Sequence, residues 1–295
     1  MIAVDWGTSS LRVYRLAADG AVVDKRSAPL GILAVQDGRF AAALESQVGD
    51  WLAAGESLVV MSGMIGSRQG WKEAPYAHCP AGVAEIARAM VSVEWERGSA
   101  WIAPGLTCKD EHGVPDVMRG EEVQIIGALH LLGLRDGWFC LPGTHSKWAQ
   151  VREGRIVRFA TFMTGEVFAV MKAHSILGRM MAEGELDHDA FDAGLERADE
   201  TGGLLHHLFG VRARGLSGEI DGRQSAAYLS GLLIGHELKS VPEEPGVVHV
   251  LGAEALARLY LHALRTRGFE ARLVDADAVV PGLAQLAALA GIART

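Results

Sequence analysis

The chain sets out its apolar positions with a period of two. Ile2 to Trp6 is an apolar run broken only by Asp5, and Leu11–Ala17 and Ala21–Ser27 alternate apolar and polar around Asp19-Gly20. Alternation about an acidic-Gly pair predicts a β-hairpin, because that pair accepts the turn that strand twist demands. The period then lengthens: Phe40, Leu44, Val48 and Leu52 fall on one face of a helix. Ser57–Met61 is a short apolar run, suited to a buried strand. The opening therefore reads as three strands with antiparallel links, a helix, and a strand parallel to the first.

From Ser62 to Gly82 no period survives. Gly63, Gly66 and Gly70 are interleaved with Arg68, Trp71, Lys72, Glu73 and Tyr76. A loop of this length is usually functional or mobile. Aromatic planes beside cationic and hydroxyl donors suit a polar, sugar-like acid; a lid-like connector is the plainer reading. Val83–Met90 reads as a helix, Trp101–Ala103 as a short strand and Pro104–Pro115 as a loop. Met118-Arg119-Gly120-Glu121-Glu122 then leads into the apolar Ile125–Leu132. Acidic residues in a first helical turn complement the helix dipole. Alternatively, one of these glutamates faces a cleft as a base or a metal-shell ligand.

The second half repeats the first. Trp138–Leu141 is an apolar run followed by Gly143-Thr144, and Trp148–Arg152 and Arg155–Phe162 alternate around Glu153-Gly154. Thr164-Gly165-Glu166 opens a helical run through Ile176. Gly7-Thr8 thus matches Gly143-Thr144, and Asp19-Gly20 matches Glu153-Gly154. Two such turns in matching context imply duplicated halves, with a border between Leu132 and Trp138 and domains of residues 1–134 and 135–295. Helical pieces follow at Ala190–Glu200 and Leu204–Phe209, and a long one at Gln224–Leu238 whose small residues permit close packing. Pro242-Glu243-Glu244-Pro245 reads as a surface turn. Val247–Leu251 and Phe269–Val274 read as strands, Ala255–Arg267 as a helix, and Pro281–Ile292 as a last helix started by its proline.

Composition narrows the class. The chain has 295 residues, 49% of them apolar and 22% charged, enough for two cores in a globular protein. A net charge of −8 with no basic run argues against nucleic-acid binding, so any anionic ligand must find its positive charge locally. Cys79, Cys108 and Cys140 are odd in number and far apart in sequence, which fits free thiols in a reducing compartment. The start shows no basic-then-apolar signal and no apolar run reaches eighteen residues, so a cytoplasmic enzyme is expected.

Asp5-Trp6-Gly7-Thr8-Ser9-Ser10 is where that chemistry starts. Gly7 lets the backbone approach an anion. The N–H groups and hydroxyls of Thr8, Ser9 and Ser10 can donate to phosphate oxygens, and Asp5 can hold a divalent cation. The plainer reading is a Ser-stabilised β-turn; Leu141-Pro142-Gly143-Thr144-His145-Ser146-Lys147, in equivalent context, favours the phosphate reading. Gly252-Ala253 between a strand and a helix can hold a nucleotide's phosphates or ribose, or is ordinary βα packing. No Gly-Lys pair exists for a Walker loop and no G-x-G for a dinucleotide loop. The histidines show no zinc spacing, and His206-His207 reads as a solvated pair.

DWGTSSLR resembles the first phosphate motif of the actin/hexokinase/Hsp70 ATPase superfamily, LPGTHSKW the second and VLGAEAL the adenosine motif. With GMIGSRQGWKEAPY, IAPGL, VMRGEE, FMTGE, HSILG and SGLLIG, the chain resembles the 2-dehydro-3-deoxygalactonokinase family over nearly its whole length. That resemblance implies a two-domain actin-like (ribonuclease H-like) α/β fold, each domain a mixed sheet flanked by helices around an interdomain cleft. It implies ATP and Mg²⁺, a small sugar-acid substrate, and phosphorylation of 2-dehydro-3-deoxy-D-galactonate on its terminal hydroxyl. Asp5 would position the metal. Gly7, Thr8, Ser9, Gly143, Thr144 and His145 would grip phosphates, with charge from Arg12 and Lys147, and Gly252 and Ala253 would meet the nucleoside. Glu121 or Glu122 would take the substrate proton, Glu121 being favoured. Arg68, Lys72 or Arg119 would meet the substrate carboxylate, Trp71 and Tyr76 would wall it, and Gly165 and Glu166 would touch it. No nucleic-acid or membrane partner is implied, and a homodimer is left open. Rival readings are a kinase for another sugar or keto-deoxy sugar acid on the same fold, an actin-like ATPase switch and a phosphohydrolase.

Overall fold

Residues 2–28 fold as their alternation predicts. In the computed structural model, which describes residues 1–241 and 246–292, β1 (Ile2–Trp6), β2 (Leu11–Leu16) and β3 (Val22–Ala28) are joined antiparallel. The turn expected at Pro242–Pro245 lies outside the described residues. Helix α1 (Phe40–Ala53) buries Phe40, Leu44, Val48 and Trp51. Trp51 is buried beside the partly buried Leu52, its indole N–H donating to Asp24 at 3.1 Å and Arg26 covering its ring at 4.3 Å. Strand β4 (Leu58–Ser62) lies parallel to β1.

The long loop is less irregular than its sequence suggests. It contains a 3-10 turn at Met64–Gly66, then β5 (Tyr76–His78) and β6 (Ala81–Gly82), before α2 (Val83–Arg88). Strands β7 (Val91–Val93) and β8 (Ser99–Ile102) follow. The loop expected at Pro104–Pro115 is instead a hairpin of β9 (Gly105–Lys109) and β10 (Pro115–Met118), paired antiparallel from Pro115↔Lys109 to Met118↔Leu106. Its turn is closed by Asp110, whose carboxylate accepts from the N–H groups of His112 and Val114; that Asx chemistry is the signal the apolar pattern hid. β5 adds parallel to β9, making a three-stranded sheet.

Helix α3 (Glu121–Leu132) ends on Gly133 in the left-handed region, the usual helix stop. The second half then runs β11 (Gly137–Leu141), β12 (Ser146–Arg152), β13 (Arg155–Phe162), α4 (Thr164–His174), α5 (His188–Asp199), α6 (Gly203–Leu216) and α7 (Gly222–Leu238). It continues through β14 (Val248–Val250), α8 (Glu254–Thr266), β15 (Ala271–Leu273) and α9 (Val279–Leu289). α7 starts with a capping box of Asp221 and Gln224. Pro281 is the third residue of α9, not its first; first-turn N–H groups lack intrahelical acceptors, so the proline forfeits no bond there. His207 is fully buried, not solvated, its ring meeting His236 at 3.1 Å and the Thr201 carbonyl at 3.0 Å.

One six-stranded sheet has the order β3-β2-β1-β4-β8-β7 and the other β15-β14-β11-β12-β13-β6. Read from β3 and from β13, both orders place three hairpin-linked strands before two that run parallel, so the repeat read from the two turns reappears in the topology. The chain forms two compact units: Met1–Asp136 with Ala149–Ala160 and the chain from Val274, and Gly137–Trp148 with Thr161–Leu273. The first centres on Ile2, Val4, Trp6, Leu44, Trp51 and Met61, the second on Phe191, Leu195, Tyr228, Leu232, Val250 and Tyr260. Among the described residues no helix is long and apolar enough to cross a membrane.

Within the first unit, α3 and α9 meet at main-chain distance. A Cβ on Gly127 would stand 1.7 Å from the Ala278 carbonyl, and one on Gly282 2.2 Å from that of Val123. Gly49, exposed on α1, has nothing within 4 Å of such an atom. The same substitution should therefore act with opposite sign: Gly127→Ala should lower stability by about 1–3 kcal/mol through overpacking, whereas Gly49→Ala should raise it by about 0.5–1 kcal/mol. Urea midpoints at constant m check both.

Candidate active site

In the first unit, Asp5 ends the central strand. It pairs in register with Arg12 on β2 and Ser62 on β4. The Arg12 guanidinium stands 3.3 Å from its carboxylate. Burial nevertheless raises the Asp5 pKa; Arg12 opposes the shift and Asp277 adds to it. Ser62 is wholly buried and its hydroxyl has no hydrogen-bond partner. The Gly7 N–H donates to the Ser10 carbonyl at 2.9 Å, closing the hairpin turn with Thr8 and Ser9 exposed on it.

Two glycines bring a second element to this strand end. Gly63 has φ +94°, and a Cβ there would lie 2.7 Å from the Trp6 carbonyl and 3.5 Å from an Asp5 carboxylate oxygen. Gly120, φ +112°, would place its Cβ 3.1 Å from the Gly63 Cα. Gly120 is the N-cap of α3, so the positive end of that helix is delivered beside Asp5. With no cap side chain, the helix uses its own acids. Glu121 accepts from the Arg119 N–H at 3.0 Å, and both Glu122 oxygens accept from the Gly120 N–H at 2.9 and 2.8 Å. Glu121 is half-buried, whereas Glu122 is fully buried. Burial, and then the charge of Glu121, push the Glu122 carboxyl up to about 8, against its backbone hydrogen bonds and Arg119.

The candidates for a substrate acid separate into three places. The Arg119 guanidinium lies 4.4 Å over the Tyr76 ring and donates to the Ala74 carbonyl at 2.8 Å. It is 9% exposed, and its Nε and Nη1 have no partner. Arg119 thus pins the loop to the start of α3 while keeping donors unspent. Trp71 and Lys72 belong elsewhere: Trp71 meets Trp95 edge-on at 6.2 Å and Lys72 donates to the Ser92 carbonyl. Arg68 points to solvent and pairs with Glu73.

In the second unit, the turn after β11 carries Gly143, Thr144 and His145. The start of α4 docks directly on it. A Cβ on Gly165 would stand 2.3 Å from the Gly143 carbonyl, and the Glu166 N–H donates to the Thr144 carbonyl at 2.9 Å. The Glu166 carboxylate meets His145 Nε2 at 2.5 Å, both side chains being exposed. Lys147 is buried on β12, on the opposite side of the strand from Ser146 and Trp148. Gly252 follows β14, Ala253 is the N-cap of α8, and the first turn of α8 lines a cavity of about 510 Å³. Gly143 and Gly165 lie on one of its walls, with Leu233, Leu256, Leu259 and Tyr260 giving apolar surface. That size and lining fit an aromatic base carrying a sugar.

The pattern of motifs missed Glu237. It is 3% exposed on α7, and its carboxylate accepts from Ser146 and Trp148 at 2.7 Å each, from Tyr260 at 2.7 Å, and from Thr164. A single acid in the apolar run Leu232–Leu238 was the available signal, because a buried charge must find partners.

Among the described residues no group of three or more His, Cys, Asp or Glu forms a metal cage. Asp5 with the orphaned Ser62 hydroxyl fits instead a cation that keeps most of its waters and takes other oxygens from phosphates, as Mg²⁺ does.

Comparison with known proteins bears on the family and the fold. A sequence profile of the 2-keto-3-deoxy-galactonokinase family matches residues 5–286. The 2-dehydro-3-deoxygalactonokinase of Escherichia coli (strain K12) is 37% identical over 293 residues, covering 99% of this chain and 97% of that one. A Rhizobium meliloti (strain 1021) protein provisionally assigned the same activity is 39% identical over 285 residues, covering 94% and 93%. A Sinorhizobium meliloti crystal structure, also provisionally assigned, superposes with a TM-score of 0.87 at 36% identity over 97% of both chains. Component A of the (R)-2-hydroxyglutaryl-CoA dehydratase of Acidaminococcus fermentans, at TM-score 0.51 and 12% identity over 97% and 96%, shares the fold alone.

Glu122 makes a stability signature. The folded state holds its proton to about pH 8, whereas an unfolded glutamate releases it near 4.5. Stability from this group is thus complete below pH 4.5 and is lost as pH rises to about 8, at up to about 1.4 kcal/mol per pH unit. Glu122→Gln should remove that slope, so the variant should gain on the wild type steadily through this window in urea unfolding. A difference constant with pH would show that Glu122 is ionised throughout.

Proposed function

The chain belongs to the 2-keto-3-deoxy-galactonokinase family, and on that premise we propose that it transfers the γ-phosphoryl group of ATP to the terminal hydroxyl of 2-dehydro-3-deoxy-D-galactonate, giving the 6-phosphate and ADP in galactonate breakdown. The observation that carries the reading is the family match from residue 5 to 286, which takes in Asp5, the Gly120-Glu121 helix start and the Gly143-Thr144 turn.

Phosphoryl transfer asks for alignment, neutralised charge and removal of one proton. Glu121 is the proton acceptor in this reading. It is half-buried at the first position of α3, and its neighbour Glu122 is the member of the pair held protonated. Two adjacent carboxyl groups in unequal surroundings divide into one base and one neutral group. Asp5 would hold Mg²⁺, which when bound spreads the charge of the transferring group. Thr8 and Ser9 in the first unit, and Gly143, Thr144 and His145 in the second, donate to phosphate oxygens. The Glu166 carboxylate fixes the His145 ring. Arg119, braced on Tyr76, supplies the positive field for the substrate's carboxylate.

Three measurements test this. Asp5→Asn should lower kcat at least about 10²-fold with a melting temperature within a few degrees of wild type; near-normal turnover would remove Asp5 from the metal role. Glu121→Gln should lower kcat about 10²–10⁴-fold and Glu122→Gln much less, the reverse order exchanging their roles. An ADP-release assay over 2-keto-3-deoxy acids should favour the galactonate type; equal turnover of the gluconate type would reject that substrate.

A further inference from the structure

The buried carboxylate behind the cavity governs what the cavity can bind. Glu237 meets four donors from three elements: Ser146 and Trp148 of β12 on one oxygen, Thr164 of α4 and Tyr260 of α8 on the other. Each of the four donates to it, so each partner spends its proton there. Thr164, part-buried, lines the 510 Å³ cavity, and Tyr260 lends it the apolar face of its ring. With its proton committed to Glu237, the Thr164 hydroxyl has only lone pairs left for a guest. We propose that Glu237 is a positioning residue that sets the hydrogen-bond polarity of this cavity, so that it recognises a nucleoside through an O–H or N–H of its ribose or base. This rests on the reading of the cavity as the nucleotide's.

The argument makes a sharp statement about one isosteric change. In Glu237→Gln the indole of Trp148, which only donates, and Ser146 hold the amide oxygen on their side. The amide NH₂ is then forced toward Thr164 and Tyr260. Both hydroxyls must accept from it and turn their own protons elsewhere, for Thr164 toward the cavity. An acceptor at Thr164 becomes a donor, with little change of shape.

Calorimetric binding of ADP, without sugar acid, reads this directly. Wild type should bind ADP and lose at least fivefold in affinity for one of 2′-deoxy-ADP, 3′-deoxy-ADP or N6,N6-dimethyl-ADP. Glu237→Gln should bind ADP at least tenfold more weakly and lose discrimination against that analogue, while its KM for the sugar acid stays within twofold. Thr164→Val should weaken ADP, Thr164→Ser should restore it, and Thr164→Val with Glu237→Gln should be no weaker than Thr164→Val alone. The proposal is overturned if Glu237→Gln binds ADP and the analogues as wild type does, or if nucleotide and sugar acid suffer equally, the mark of a merely structural role. Should Glu237→Gln not fold, a Thr164→Val protein that binds all four nucleotides like wild type overturns it. A wild type that binds no ADP removes the nucleotide reading itself, a different failure from loss of polarity control.

Discussion

Two stretches of main chain touching at Gly63 and Gly120 hold the acidic site of the first unit together. A Cβ on Gly120 would lie 3.1 Å from the Gly63 Cα, and one on Gly63 2.7 Å from the Trp6 carbonyl. No side chain fits between these segments, so the end of β1, the exit from β4 and the start of α3 are stacked. Everything chemical there follows from that stacking. Asp5 is buried enough for its pKa to rise despite Arg12. The partial positive charge of the α3 start is set beside it. The residue after the N-cap glycine becomes the half-buried Glu121, and the next the buried Glu122.

Among the described residues two acids are wholly buried or nearly so, and their surroundings supply them with different donors. Glu122 has only backbone N–H groups for donors, its own and that of Gly120 shared between its two oxygens, and the Glu121 carboxyl for a neighbour. Backbone N–H groups alone do not replace the hydration of a full charge, and a like charge adds to the cost. It therefore keeps its proton. Glu237 has four side-chain donors converging on it, and hydrogen bonds of that number replace the water that burial removed. The first arrangement leaves a protonated Glu122 beside Glu121 at the helix start. The second orders the turn and helix start that wall the cavity.

Much of this was legible in the sequence because it rests on local grammar. Both hairpin repeats, α1, α3, α7 and the parallel strands follow from period and turn chemistry, and the motif resemblance to the family is borne out by the profile match and the relatives. What was not legible depends on distant partners. Trp51 joined the core, with Leu52 partly buried against it, because Asp24 and Arg26 on β3 receive it. The β9–β10 hairpin was hidden because its strands are short and its pairing is stabilised by the added strand β5. His207 looked solvated until His236, 29 residues on, supplied its partner. Of the loop's candidates, no spacing rule puts Arg119 with Tyr76 and sends Trp71 to Trp95. Glu237 escaped notice for the same reason, since its donors lie at 146, 148, 164 and 260.

The repeated turns also show how unlike surroundings reach one electrostatic end. In the first unit, the Ile32 N–H donates to the Gly7 carbonyl at 3.0 Å and the Leu33 N–H to that of Thr8 at 3.3 Å. In the second, the Glu166 N–H donates to the Thr144 carbonyl at 2.9 Å. A short 3-10 turn does this work in one case and the start of α4 in the other. Both hold loop carbonyls from behind. A carbonyl oxygen facing a phosphate would repel it, while an N–H attracts it. Each turn is thus biased toward anions by what lies behind it, independently of its own side chains. In the proposed reading, that is why a Gly-Thr pair serves in both places although the residues after it, Ser9-Ser10 and His145-Ser146, differ. The turn needs small residues for access, and its sign is set by the element that clamps it.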